Sequence, residues 1–103
     1  MKETVKAIKG ILVEHGIPAF GIADSTLMES EAQGYRCSDT LSSAKSILCL
    51  GMPFPRGIFR TETRTNANYW RAANIYYRNI DMILMHIARM IEDNGEIAVP
   101  VFG

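Results

Sequence analysis

Five of the seven arginines lie between positions 56 and 78, and their side chains suit the recognition of anions. The five are Arg56, Arg60, Arg64, Arg71 and Arg78, and the only acidic residue from position 52 to position 80 is Glu62. The planar guanidinium matches phosphate and carboxylate groups through paired hydrogen bonds. The pattern indicates an anion-binding face, but a solvated helix surface with a mobile basic loop explains the same charges. Arg78 can also pair with Asp81, three positions along its own helix.

Four aromatic residues are interleaved with these arginines: Tyr69, Trp70, Tyr76 and Tyr77. Aromatic rings beside guanidinium groups can stack on a base, a flavin or another flat cofactor. The same residues lie on or beside the apolar stripe of a predicted helix, and core packing explains most of them better. We therefore interpret them first as core residues and second as a stacking surface.

The residue types that usually carry catalysis or metal binding are few and widely separated. Cys37 and Cys49 stand twelve positions apart without a CxxC pair, and neither has a second ligand at metal spacing. His15 and His86 are the only histidines and have no second ligand four positions away, so structural or solvent-facing roles are expected. No GxSxG elbow, GxGxxG loop or Walker A loop occurs. The sequence predicts no complete catalytic or metal-binding site within this chain.

Length and composition predict a single folded domain over residues 1–103. Hydrophobic residues make up 48% and charged residues 21% of the chain, as in a typical globular protein. Eleven basic residues balance eleven acidic ones, so charge gives no reason to expect nucleic acid or an acidic membrane as the main partner. There is no apolar run of about 18 residues and no signal peptide, which together with the cysteine usage predicts a cytoplasmic protein without a membrane segment.

The elements that must position these side chains alternate between helix and strand. Hydrophobic periodicity predicts six of them: a helix at 4–15, a strand at 19–23, a helical turn to about 31, a strand at 46–51, a long helix to 93 and a strand at 97–102. Gly16 and Gly95 supply the residues that end the two main helices, and Asp24 or Ser25 can cap the turn. This order predicts a small layered α/β domain, which we interpret as part of a larger mixed-sheet domain and as the N-terminal fragment of a longer protein.

The connections are predicted from turn residues. Residues 34–40 are expected to form a loop, and residues 52–65 contain two prolines and a glycine and are expected to be irregular. The strand at 46–51 is apolar on both faces, which is typical of a covered central strand. Thr65 or Asn66 is the expected cap of the long helix.

The long helix has two apolar faces. Its main stripe is predicted to contain Tyr69, Ala73, Tyr76, Tyr77, Ile80, Leu84, Ile87, Ala88 and Ile91. A second set, which we call the far face, consists of Ile75, Met82 and Met85, with Met90 nearby. Such residues suit contact with a partner, so the far face is expected to bind a second copy of the chain or the missing remainder of a domain.

Three segments carry a family pattern in a fixed order. The sequence HGIPAFGIAD occupies 15–24 and SAKSILCLGMP occupies 43–53. The third segment consists of residues of the long helix followed by Gly95 and by AVP at 98–100; the helix residues are Tyr77, Asn79, Ile80, Asp81, Ile87, Ala88 and Ile91. Together they cover nearly the whole chain and resemble the N-terminal region of epoxyqueuosine reductase and related iron–sulfur proteins. The resemblance implies an oxidoreductase that uses cobalamin and 4Fe-4S clusters.

The resemblance also implies roles for particular residues. The loop after the middle strand faces the cofactor chamber in such proteins, so Met52, Pro53, Phe54 and Arg56 are the expected cofactor-binding residues. The cluster cysteines and the catalytic acid of the family have no counterpart in this sequence. The chain is therefore expected to hold no cofactor alone and to be inactive alone. The resemblance also implies that the far face binds a missing C-terminal iron–sulfur portion.

Two other functions stay open from the residues themselves. A stand-alone α/β module could bind a partner or self-associate through the far face, without catalysis. An anion- or nucleotide-binding domain could use the arginines. The substrate is not indicated, because the Asp-Tyr-His of the tRNA-modifying branch is absent and Tyr76, Tyr77 and Arg78 stand nearby instead.

Overall fold

The computed structural model describes residues 2–60 and 67–102, and it confirms a small α/β fold with a two-stranded antiparallel sheet and a long C-terminal helix. The elements are α1 (Lys2–Glu14), β1 (Ala19–Asp24), α2 (Cys37–Thr40), β2 (Ser46–Gly51) and α3 (Ala67–Asp93), with 3-10 turns at Ser25–Met28 and Arg56–Arg60. Two compact units are present. The helical unit comprises Met1–Pro18 with Gly51–Gly103, and the sheet unit comprises Ala19–Leu50.

Helix α1 ends as its glycine predicts. Gly16 adopts a φ of 69°, the left-handed conformation that side chains with a Cβ disfavour. The chain then turns back, and the Ile17 amide donates to the Leu12 carbonyl at 2.9 Å. Ile17 is buried, so the turn that stops the helix also adds a side chain to the core.

Helix α3 has 27 residues, or about 40 Å at the usual rise per residue. It ends at Asp93 as predicted, and Gly95 follows with a φ of 89°. The Asn94 side chain donates to the Met90 carbonyl at 2.9 Å and satisfies one of the last carbonyl groups. The predicted caps, Thr65 and Asn66, lie outside the described residues.

The core of the helical unit lies between α1 and α3. Among the residues that the structure describes, the buried hydrophobic side chains are Ile8, Leu12, Ile17, Ala73, Ile83 and Ile87. The predicted stripe on α3 is partly wrong, because it omitted Ile83, which is 2% exposed, and included Tyr77, which is 53% exposed. These two residues lie about 120° apart around a helix, and α1 covers the sector that contains Ile83.

The sheet unit is less covered than its sequence predicts. Strand β2 pairs with β1 in a two-stranded sheet, and none of its six residues is buried. The prediction that both of its faces are covered is therefore wrong. On β1, Phe20 and Ile22 are 40% and 42% exposed. Apolar content showed that β2 is a strand, but burial depends on neighbouring layers that the strand's own sequence does not specify.

Asp24 caps the turn after β1, as predicted. Its carboxylate accepts hydrogen bonds from the Thr26 amide and hydroxyl, both at 2.9 Å, and the 3-10 turn then ends at Met28, earlier than expected. Ser25 is buried, its hydroxyl donates to the Ala44 carbonyl at 2.9 Å, and its amide donates to the Lys45 carbonyl at 3.0 Å. Ser25 thus connects the end of β1 to the start of β2.

Two stretches predicted to be irregular contain single helical turns. In the first, the Asp39 carboxylate accepts from the Gly34 amide at 2.7 Å and from the Arg36 amide at 3.0 Å, and this stabilises the start of α2. In the second, the Ile58 amide donates to the Pro55 carbonyl at 3.2 Å within the 3-10 turn. Both corrections arise from local hydrogen bonds that hydrophobic periodicity does not detect.

The predicted last strand is also wrong. Residues 96–102 have neither helix nor strand, and Ile97 and Val101 are 66% and 70% exposed. Pro100 lacks an amide hydrogen and so cannot complete a strand ladder. None of the described helices is long and apolar enough to cross a membrane.

Candidate functional site

The predicted cofactor-binding residues lie directly after β2 and belong to the helical unit. Met52 and Phe54 are half-buried, whereas Pro53 and Arg56 are exposed. The Tyr76 hydroxyl on α3 donates to the Pro53 carbonyl at 3.0 Å. This bond joins the segment after β2 to the N-terminal half of the long helix.

Phe54 lies at the centre of an aromatic group that we call the Phe54 cluster: Phe54, Phe59, Tyr69, Trp70 and Tyr76. The ring of Phe54 lies 5.2 Å from that of Tyr69, 5.4 Å from that of Tyr76 and 5.9 Å from that of Phe59, measured between centroids. Tyr69 lies 6.0 Å from Phe59 and 6.3 Å from Trp70. All five distances fall in the range where aromatic pairs attract one another.

The cluster is open to solvent on one side. Phe59 is 63% exposed and Trp70 is 64% exposed, while Phe54 and Tyr76 are half-buried. The interpretation of the helix aromatics as core residues is therefore wrong for Tyr69, Trp70 and Tyr77, since all three are exposed. The arrangement combines a packed base with exposed rings at its rim. Such a surface can stack on a flat ligand without the rings having to be ordered first.

The described arginines of the basic stretch are all exposed. Arg56 and Arg60 belong to the 3-10 turn beside Phe59, and Arg71 follows Trp70 on α3. Arg64 lies outside the described residues. The structure thus places cationic side chains next in sequence to the most exposed rings of the Phe54 cluster, where they could contact an anionic group of a stacked ligand.

A groove of about 490 Å³ lies along the far face of α3. Its lining residues are Asn74, Tyr77, Arg78, Asp81, Met82, Met85 and Phe102. The far-face residues are exposed in this chain, with Ile75 at 65%, Met82 at 60% and Met85 at 46%. The contribution of Phe102 was missed, because the segment that carries it was predicted to be a strand.

The structure brings the two histidines together. The rings of His15, just after α1, and His86, on α3, lie 6.0 Å apart between centroids with 11° between their planes. Both side chains are exposed, as the sequence predicts. Their pairing was missed because 71 positions separate them and each was considered only within its own helix.

The two cysteines are free thiols, and Cys37 is half-buried while Cys49 is exposed. The Cys37 thiol lies 3.6 Å from the sulfur of Met28. Within residues 2–60 and 67–102, no group of three or more His, Cys, Asp or Glu side chains is arranged to hold a metal ion. This part of the chain therefore does not supply the four-thiolate ligand set that an iron–sulfur cluster requires.

Asp24 and Asp39, in turns of the sheet unit, have side-chain pKa values below the usual value for an aspartate. Hydrogen bonds from the Thr26 amide and hydroxyl lower the pKa of Asp24. Hydrogen bonds from the Arg36 and Gly34 amides lower the pKa of Asp39. Since these bonds are local turn contacts, the shifts indicate structural roles for both residues.

No protein-family model, curated protein or solved structure matches this chain. The likeness to epoxyqueuosine reductases thus rests on the three sequence segments alone. Function has to be argued from the geometry of the Phe54 cluster, the far face and the segments that position them.

Proposed function

We propose that this chain is the N-terminal α/β part of an epoxyqueuosine reductase-like iron–sulfur redox protein, in which it forms one wall of a corrinoid chamber. The wall consists of the segment with Met52, Pro53, Phe54 and Arg56, together with the exposed rings of the Phe54 cluster. One observation carries the proposal: Phe54 packs against three rings while Phe59 and Trp70 remain largely exposed.

The chemistry of these residues suits a corrinoid. A corrin is a roughly planar macrocycle whose periphery carries methyl groups and amide side chains. An aromatic ring that stacks on a flat ligand contributes about 1–3 kcal/mol. Arg56 is exposed two positions after Phe54 and suits the phosphodiester of a cobalamin nucleotide tail. When bound, the corrinoid supplies a metal centre that exchanges electrons. The residues of this chain bind the cofactor, orient it and exclude water from one side.

The remaining parts of the reaction are proposed to come from elsewhere. Each 4Fe-4S cluster needs four thiolates, and this sequence has two cysteines in total. Under this proposal another polypeptide segment supplies the clusters and the catalytic acid and packs on the far face. The chain alone has no reductase activity, and its setting is cytoplasmic.

Titration with hydroxocobalamin tests the proposal. The sequence predicts no resident cofactor in this chain alone, but the exposed rings of the Phe54 cluster support weak binding by the wall itself. We therefore expect the visible spectrum of the corrinoid to change along a saturating curve when wild-type protein is added in excess. Trp70→Ala should weaken binding about tenfold, which corresponds to the loss of one stacked ring. Phe20→Ala is the control, because Phe20 is exposed on β1 in the other unit. An unchanged spectrum with well-folded wild-type protein would contradict the corrinoid wall.

Self-association through the far face is a second candidate function. The groove contains Met82 and Met85 together with one cation and one anion, Arg78 and Asp81. A two-fold interface presents the same patch from both copies, so an antiparallel pair of α3 helices could set each Arg78 opposite an Asp81 of the other copy. Sedimentation of the wild-type chain at several concentrations distinguishes a dimer from a monomer whose far face awaits another segment.

A further inference from the structure

The register of the two-stranded sheet identifies the groups on its outer edges. The Ser25 amide donates to the Lys45 carbonyl, and this bond sets Ala19 opposite Gly51, so the two six-residue strands pair along their full lengths. Alternate residues bond across an antiparallel ladder, so the odd-numbered residues of both strands bond to each other. The even-numbered residues direct their N–H and C=O groups outward, where no third strand pairs with them among the residues that the structure describes.

The outer edge of β2 suits a further strand better than the outer edge of β1. The outward groups of β2 belong to Ser46, Leu48 and Leu50, and none of these side chains is charged. The outward groups of β1 include those of Asp24, whose exposed carboxylate caps the following turn. A charged side chain on an edge strand opposes pairing with another chain. An incoming strand is therefore expected at β2.

One face of the sheet carries the large apolar side chains of both strands. We call it the large face, and it consists of Phe20, Ile22, Leu48 and Leu50. The first two are exposed and the last two are half-buried. The opposite face has smaller residues at most positions, including Gly21 and Cys49. An apolar side chain beside β2 therefore removes more apolar area from water on the large face than on the opposite one.

The segment at 97–101 has the residue pattern of a strand but neither helix nor strand structure. Its three β-branched residues are exposed, with Ile97 at 66%, Val99 at 47% and Val101 at 70%, and the intervening Ala98 and Pro100 are half-buried. Branched residues at alternate positions favour a strand. Because Pro100 has no amide hydrogen, a strand formed here must direct Pro100 away from its partner. The three β-branched residues then direct their N–H and C=O groups toward that partner.

The direction of the incoming strand follows from which side chains must meet. In an antiparallel pair, two residues that bond to each other also place their side chains on the same face, so the three β-branched residues would extend the large face. In a parallel pair, each bonding residue stands beside a residue whose groups point away, so the same three side chains would lie on the opposite face. Antiparallel pairing thus unites the two apolar sets. A strand that returns to its own sheet through a helix normally runs parallel, which makes a second copy of the chain the source of the antiparallel strand.

We infer that residues 97–101 of one copy of this chain pair with the outer edge of β2 in a second copy, antiparallel and with Val99 opposite Leu48. In this register the three β-branched residues lie opposite the three outward residues of β2, and each such pair exchanges both N–H···O bonds. The segment adds a strand to an exposed sheet edge, a recurring mode of peptide recognition. Exchange in both directions closes the assembly at two copies. The pairing involves no residue of the Phe54 cluster, so it is tested separately from the corrinoid wall.

A disulfide to a native thiol tests the register. Cys49 is a free, exposed thiol and would lie opposite Ala98 of the second copy, in a non-hydrogen-bonded pair whose Cβ atoms are about 4.5 Å apart, a distance that a disulfide spans. With oxidised glutathione as the oxidant, Ala98→Cys should give a covalent dimer linked between position 98 and Cys49, and adding Cys49→Ser should abolish that link. Val99→Cys is the matched control, because position 99 lies opposite Leu48 on the other face of the sheet. Peptide mapping of the oxidised proteins locates the link.

Two proline substitutions test the backbone bonds. Val99→Pro removes an amide that donates to β2 and should weaken the dimer at least about tenfold in sedimentation, because it leaves a carbonyl of the edge unpaired. Ala98→Pro removes an amide that points away from β2 and should leave the dimer intact. Circular dichroism checks that both variants remain folded. A wild type that stays monomeric at high concentration, a disulfide formed within one chain, a link from position 99 in preference to position 98, or equal weakening by both prolines would each overturn the inference.

Discussion

Phe54 and Tyr76 show how single residues fix the proposed wall. The stacked contact between their rings and the bond from the Tyr76 hydroxyl to the Pro53 carbonyl hold the segment after β2 against α3. The sequence predicted this segment as a site through resemblance, but it gave no signal for the bond. The sequence predicts Tyr76 in the main apolar stripe of the long helix. In the structure its hydroxyl also donates to a backbone carbonyl 23 positions away.

Tyr76→Phe tests that bond. Removing the hydroxyl should lower the free energy of unfolding by about 0.5–1 kcal/mol, because the folded protein loses this hydrogen bond. The loss is small because in the wild type the hydroxyl bonds to water when the chain is unfolded. Tyr77→Phe is the matched control on the next residue, which is 53% exposed, and should change stability little. Urea unfolding of both variants measures the difference. Equal effects would show that the Pro53 contact contributes nothing.

Asp39 gives a prediction about pH. Its pKa is lowered in the folded state by the Arg36 and Gly34 amides, so its contribution to stability is present above the unfolded-state pKa and lost as pH falls through the folded one. Thermal melts from about pH 7 to about pH 3 should therefore show a smaller acid-induced loss for Asp39→Asn than for wild type. Asp93→Asn, at the end of α3, serves as the control. An unchanged acid response in Asp39→Asn would contradict the capping role.

At the scale of elements, helix ends were predictable and burial was not. Gly16 and Gly95 marked the ends of α1 and α3, because a left-handed residue after a helix is a local requirement. The covered faces of β2 and the last strand were predicted wrongly, because both depend on strands or layers beyond the segment itself. The position of Ile83 in the core likewise depends on where α1 crosses α3.

Substitutions at two adjacent residues of α3, Met82 and Ile83, distinguish its exposed face from its buried face. Ile83→Ala should destabilise the helical unit by about 3 kcal/mol, because Ile83 is 2% exposed and its removal leaves a cavity. Met82→Ala should change stability by less than about 0.5 kcal/mol, because Met82 is 60% exposed. Urea unfolding monitored by circular dichroism compares them. Similar losses in both variants would mean that the far face is covered in solution.

At the scale of the whole molecule, sixteen large hydrophobic side chains are exposed and six hydrophobic residues are buried among residues 2–60 and 67–102. Exposed apolar residues bear on binding where they form a contiguous patch. The Phe54 cluster and the far face lie on different parts of α3, so they can be tested independently. Their chemistry could be predicted from the sequence only in part, because contacts such as that of His15 with His86 arise from the packing of distant segments.

Met82→Asp tests the far face as an interface between copies. The new carboxylate should leave the monomer folded, because position 82 is exposed. Burying that charge in an interface is costly, so the substitution should shift any dimer to monomer. Sedimentation velocity of wild type and variant at matched concentrations measures this shift. Val13→Asp is the control, because Val13 lies on α1 and is 80% exposed. A wild-type dimer that survives Met82→Asp would place its interface elsewhere.

The corrinoid wall is tested most directly by the fluorescence lifetime of Trp70, the single tryptophan of the chain. A bound corrinoid accepts excitation energy from a nearby indole, so hydroxocobalamin should shorten the lifetime along a saturating curve. Phe54→Ala, which removes the centre of the cluster, should leave only the linear decrease that free tryptophan shows. A linear decrease with folded wild-type protein, identical to that of Phe54→Ala, would contradict the corrinoid wall.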